Sequence, residues 1–197
     1  MLRKLAGQIV DWQIQRQYLR DEERELYEYG YEAMLNQTIN ILISIAIAIW
    51  LKMPIAVVVF LVCYIPLRSY CGGYHARTNL GCTIISALLL LGICLLLKVI
   101  PETIDIPLAV SAFVICGVLV FRYAPVEDSN KPLDAEEILH YRKMSRMVWL
   151  LETCVAIPAY LIYRPAGLVI VLSHGVFSVV LCMGMIRNRL IKKQEKI

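Results

Sequence analysis

The chain has 197 residues, of which 59% are hydrophobic and 18% charged, with a formal net charge of +4. With a mean hydropathy of +0.63 it is far more apolar than soluble domains, which average roughly 45–50% apolar residues. That excludes an ordinary water-soluble enzyme, and so small a positive charge gives no case for a nucleic-acid partner.

Residues 1–30 place Leu2, Leu5, Ile9, Trp12, Leu19 and Leu26 at helical steps with charges between them, which predicts an amphipathic helix. Its many charges and lack of a continuous apolar core predict that it is retained rather than cleaved as a signal peptide. The expected location is the membrane interface, with a cytosolic position packed on the bundle as the alternative.

Six apolar runs follow, at about 33–51, 53–67, 83–100, 106–123, 147–163 and 166–186, read against the roughly 20-residue template of a membrane-spanning helix. Lipid offers no partners for free backbone groups, so these runs are predicted to be helices. The expected fold class is all-α, a polytopic six-span bundle. Residues 1–197 would form one unit, made of the 1–30 helix, the 33–186 bundle and a basic tail at 187–197. Seven cysteines, mostly inside apolar runs, read as small buried hydrophobes rather than a disulfide framework.

The second run is short, and Arg68, the Gly72-Gly73 pair and Gly81 come after it. That pattern predicts a chain that bends near the membrane surface, where irregular backbone is tolerated only against a protein cavity. Of the 20 lysines and arginines, only Lys52, Lys98 and Arg164 fall in the turns of one face. The positive-inside rule therefore places both termini, the 68–82 segment and the 124–146 loop in the cytoplasm.

Residues 68–82 hold the densest set of chemically capable side chains outside the apolar runs, including His75 and Cys82. A nucleophilic cysteine needs a thiolate, and an imidazole can take up the thiol proton and return it to a leaving amine. On one straight helix the two residues would lie about 10.5 Å apart along the axis and could not meet. A dyad thus requires the chain to fold back between them. Thr78 or Asn79 is expected to cap the third span, which would put Cys82 in its first turn, where the helix dipole favours a thiolate. Cys71 competes as nucleophile but lacks that position. One His and two Cys without paired metal-ligand spacing do not suggest zinc, and Ser129 with Lys131 is a weak Ser-Lys pattern in a solvated loop. His140 and His174 read as structural.

Arg68, His75 and Cys82 at even seven-residue intervals, the Gly72-Gly73 pair and the loop Ala124–Leu133 together resemble the accessory gene regulator B family of Gram-positive bacteria. The resemblance implies a membrane cysteine endopeptidase that removes the C-terminal part of a short autoinducing-peptide precursor. It further implies Cys82 as nucleophile, His75 as general base and acid, Arg68 and Gly73 in supporting or substrate-binding roles, and Lys131 as a basic residue serving later steps. The implied partners are the lipid bilayer, a precursor with an amphipathic N-terminal helix and acidic C-terminal part, and a second copy in a homodimer. No metal or organic cofactor is expected. The implied location is the bacterial cytoplasmic membrane. Two readings without this chemistry stand beside it: a small peptide or ion transporter, whose signature would be ionisable residues within spans, and a scaffold or sensor-kinase partner using the 124–146 loop.

Overall fold

A computed structural model describes residues 2–74, 76, 78–127 and 133–194. Seven α-helices follow in order: α1 (Leu2–Gln15), α2 (Arg24–Leu51), α3 (Pro54–Cys71), α4 (Asn79–Val99), α5 (Asp105–Tyr123), α6 (Ala135–Ile162) and α7 (Arg164–Gln194). Six of them, α2 to α7, are long and apolar enough to cross a membrane. The described residues form no strand, and the fold is an all-α polytopic bundle.

The amphipathic segment is not one helix over 1–30. It stops at Gln15 because Gln17 adopts a left-handed conformation (φ 59°). The Tyr18 and Gln17 N–H groups then donate back to the carbonyls of Gln13 and Ile14, the pattern of a Schellman stop. The chain reverses, and α1 lies back against the first turns of α2. There Asp11 meets Arg24 at 2.5 Å and Gln13 Nε2 donates to the Tyr31 hydroxyl at 2.6 Å. Ala6 and Val10 are buried in this contact, while Leu5 and Trp12 remain exposed. Lys52 ends α2 by the same device, with Met53 N–H on the Ala48 carbonyl, and Pro54 opens α3 at a position where its missing N–H is harmless.

Helix α7 is the spine of the bundle, packing against α3, α4, α5 and α6. Toward one end, Ala56, Val57 and Phe60 of α3, Leu90, Ile93 and Cys94 of α4 and Val169 of α7 form one core cluster. Toward the other, Leu67 and Cys71 pack on Cys116, Val120, Phe177 and Leu181. Close approaches are made by glycine. A Cβ on Gly117 would lie 2.6 Å from the Trp149 ring, and one on Gly167 would lie 2.5 Å from the Tyr160 Cα. These contacts seat α5 on α6 and close the tight α6–α7 hairpin.

Several bounds differ from the hydropathy reading, α2 starting at Arg24 rather than 33 and α4 at Asn79 rather than 83. Helix α3 does not end at 67 but continues to Cys71 with Pro66 inside it, so Arg68 sits on a helix and the bend begins only at Gly72. Helix α6 starts at Ala135, not 147, behind a capping box in which Asp134 accepts from the Glu137 N–H at 2.7 Å. Helix α7 runs on to Gln194, through much of the expected 187–197 tail. At 28 and 31 residues these helices are about 42 and 46 Å long at 1.5 Å per residue, more than a hydrocarbon core about 30 Å thick. Hydropathy marks only the apolar part of each helix, and the polar turns beyond it carry no such signal.

Six alternating spans put the N-terminal hairpin, residues 72–74 and 124–127, the starts of α4 and α6 and the end of α7 at one end of the bundle. The turns at 52–53, 100–104 and 163 lie at the other. At that far end Arg164 grips Asp105 with two bonds of 2.7 and 3.0 Å, and the Tyr160 hydroxyl adds a third at 2.9 Å.

Candidate active site

The chain leaves α3 through two glycines that no other residue replaces cheaply. Gly72 (φ 74°) passes so close to the 124–127 connection that a Cβ would stand 2.1 Å from the Val126 carbonyl oxygen. Val126 N–H in turn donates to the Cys71 carbonyl at 2.8 Å. Gly73 (φ 120°) lies against Arg68 and α7, and its partner there is Gly184, on which a Cβ would come within 2.5 Å of the Gly73 carbonyl carbon. The strap is fastened by Tyr74 N–H on the Val180 carbonyl at 3.1 Å and by Arg68 Nη2 donating to the Tyr74 carbonyl. Arg187 of α7 stacks over the Tyr74 ring, 5.6 Å from its centroid. Residues 72–74 are thus held across α7, and Arg68 holds the strap rather than standing free of it.

Helix α4 then starts as the sequence predicts. Thr78 is its N-cap, with Oγ1 accepting from Gly81 N–H at 3.1 Å, and Cys82 N–H makes the first intrahelical bond to the Thr78 carbonyl at 3.0 Å. Cys82 therefore lies in the first turn, at the positive end of the α4 dipole. Two side-chain bonds tie this turn to α2: Asn79 Nδ2 to Glu32 Oε1 at 2.7 Å, and Thr83 Oγ1 to Asn36 Oδ1 at 3.3 Å.

Between α2, α3, α4 and α7 lies a cavity of about 460 Å³. Cys82, Arg68, Ser69, Tyr74 and Thr78 line it. Its floor is apolar, from Phe60, Tyr64, Ile65, Val179, Val180 and Met183. A further wall is polar, formed by Glu32, Asn36, Gln37, Asn40 and Ser44 of α2, and adjoins the Cys82 turn through the two bonds to Asn79 and Thr83. These α2 residues did not figure in the sequence reading, although Glu32, Asn36, Asn40 and Ser44 recur at four-residue steps, the repeat of a single helix face.

Of the residues singled out in the sequence, Arg68, Cys82 and the Gly73 strap are brought together here, whereas His75 and Lys131 lie outside the described residues. Cys71 is separated from them. It is fully buried on the far side of the α3 end, against Cys116 and Leu181, and does not reach the cavity. Cys82 is the cysteine that lines the cavity among the described residues, and it is partly exposed. His174 is also fully buried, its Nδ1 2.9 Å from the Ile170 carbonyl and its Nε2 3.5 Å from Glu152. That pair lines neither this cavity nor the apolar groove between α5, α6 and α7.

Fold and site together define a polytopic α-helical membrane protein with a thiol-bearing cavity at one end of its bundle. The accessory gene regulator B family model matches residues 3–187, and the chain belongs to that family. It is similar to an AgrB-like protein of Clostridium perfringens strain SM101, 28% identical over 122 residues, and this match spans 59% of the chain and 57% of the relative. An AgrB-like protein of Listeria innocua is 28% identical over 72% of the chain and 69% of its own length. One from Listeria monocytogenes strain EGD-e is 24% identical over 98% and 93%. No solved structure matches the chain.

Proposed function

We propose that the chain is a membrane cysteine endopeptidase that cuts a short signalling-peptide precursor, with Cys82 as nucleophile. The observation that carries this reading is the placement of Cys82: in the first turn of a helix, on the wall of a cavity large enough for a peptide segment, beside a strap fastened by Arg68. His75, which follows Tyr74 in the sequence and lies outside the described residues, is the proposed general base and acid.

In the proposed reaction the Cys82 thiolate attacks the scissile carbonyl carbon. The C–N bond breaks, and the departing amine takes a proton from His75. A thioester on Cys82 remains. A cysteine thiol within the bound precursor then attacks it, giving its proton to His75 and regenerating the Cys82 thiolate as the product leaves as a cyclic thiolactone; attack by water gives a linear acid instead. The apolar floor favours the cyclic route by excluding water. Gly81 and Cys82 N–H are already bonded to Thr78, so an oxyanion donor from this turn falls to Asn79 or Leu80. Lys131 is assigned to steps after cleavage.

The distribution of Lys and Arg orients the site end toward the cytoplasm of the bacterial membrane. A transporter would need its intramembrane ionisable groups along a pathway, and the buried Glu152–His174 pair lines neither cavity. Coexpression of the chain with the short precursor encoded beside it tests the assignment. Wild type should yield a cut fragment, Cys82→Ala and His75→Ala should lose it, and Cys71→Ala should keep it. Undiminished cleavage in Cys82→Ala would refute the peptidase reading.

A further inference from the structure

The polar wall of α2 has no role in the chemistry above, yet it lies where polar groups are expensive. Asn36 and Asn40 are half-buried and Gln37 is exposed within a span, and among the described residues no side chain or backbone group takes up the carboxamides of Gln37 and Asn40. Asn36 accepts from the Thr83 hydroxyl through Oδ1, which leaves its NH₂ uncommitted among the described residues, and it lines the cavity. Each carboxamide carries both donor and acceptor capacity, and unsatisfied polar groups at membrane depth cost several kcal/mol.

We infer that Asn36, Gln37 and Asn40 form a clamp for the backbone of an extended peptide in the cavity that Cys82 also lines. The inference rests on the peptidase reading and names how its substrate is held. An extended chain presents an N–H and a C=O at every residue, and neither finds a partner on the floor of Phe60, Val179 and Val180. Carboxamides at successive helical turns meet both needs without reading side chains. From Glu32 to Ser44 the stripe covers about 18 Å at 1.5 Å per residue. That is the length of about five residues of extended peptide at roughly 3.3 Å each. The bonds from Glu32 to Asn79 and from Asn36 to Thr83 fix this stripe in register with the turn that carries Cys82.

The test uses full-length protein in lipid nanodiscs and the synthetic precursor peptide. First, wild type must cut it; absence of cutting overturns the underlying peptidase reading. With cutting established, KM and kcat are measured for Asn40→Leu, Gln37→Leu and the double variant. Alkylation of Cys82 by iodoacetamide, read by mass spectrometry, checks that the cavity is intact. The clamp predicts KM raised about five- to tenfold per lost carboxamide, the scale of one net hydrogen bond, with kcat nearly unchanged. Precursors with single N-methylated peptide bonds add a second readout. At least one methylation should weaken wild type about as much as Asn40→Leu does, and should have little further effect in that variant. Unchanged KM in the double variant with normal Cys82 alkylation overturns the clamp while leaving the peptidase reading standing, and marks the cavity as one where lipid meets that wall.

Discussion

Gly184 shows how much of the site hangs on the absence of one carbon. Its α7 position is ordinary helix, and what forbids a side chain is the strap crossing it: an alanine Cβ would meet Gly73 Cα at 2.8 Å and Tyr74 N at 2.7 Å. Backbone cannot yield as a flexible side chain can, so Gly184→Ala has to lift the strap off α7 and break the Tyr74–Val180 bond. Overpacking of this kind costs about 1–3 kcal/mol. The expected outcome is at least a tenfold loss of precursor cleavage with the protein still folded in detergent. Gly92→Ala is the control, since nothing lies within 4 Å of its Cβ position; equal activity of the two variants would show that the strap does not position the site. The need for glycine at 72 and 73 was suggested by the sequence as a bend. The need at 184 was invisible there, because it is set by a contact between residues more than a hundred positions apart.

At the level of single elements, the start of α4 decides where Cys82 points. Thr78 is the cap, and replacing such a cap with alanine costs about 1 kcal/mol. Thr78→Ala should fray the first turn, lowering the thermal midpoint and cutting cleavage several-fold, whereas Thr78→Ser, which keeps the acceptor, should behave as wild type. Matching cleavage rates for Ala and Ser would detach the cap from function. This element was readable beforehand because capping is local: a hydroxyl residue, then an apolar run. Helix α2 was read only in part. Its apolar content announced a span, but averaging over a window hid the four-residue recurrence of Glu32, Asn36, Asn40 and Ser44, and the direction that stripe faces depends on α4, with which it shares two hydrogen bonds.

Across the whole molecule, the alternation of six spans gathers the strap, the thiol and the α2 wall at the end opposite the Asp105–Arg164–Tyr160 cluster. Single cysteines introduced at Glu102 and at Arg187 in a background lacking the seven native cysteines should label from opposite faces of intact cells. Membrane-impermeant maleimide should reach position 102 from outside and position 187 only after permeabilisation. The reverse pattern would move the site to the outer face and overturn the charge-based orientation.

Composition, periodicity and capping pattern determined by themselves that this is an all-α membrane bundle of six spans and that Cys82 begins a helix. Each follows from forces acting along the chain: transfer of apolar runs into lipid, and hydrogen bonding within a turn. The tertiary structure alone decided that α1 folds back on α2, that Cys71 is sealed away from the cavity while Cys82 lines it, and that Arg68 and Gly184 fasten the strap. These depend on which helix faces meet. In a membrane that choice rests on small residues, close packing and a few polar contacts rather than on hydrophobic pattern, since lipid is as apolar as the side chains it touches.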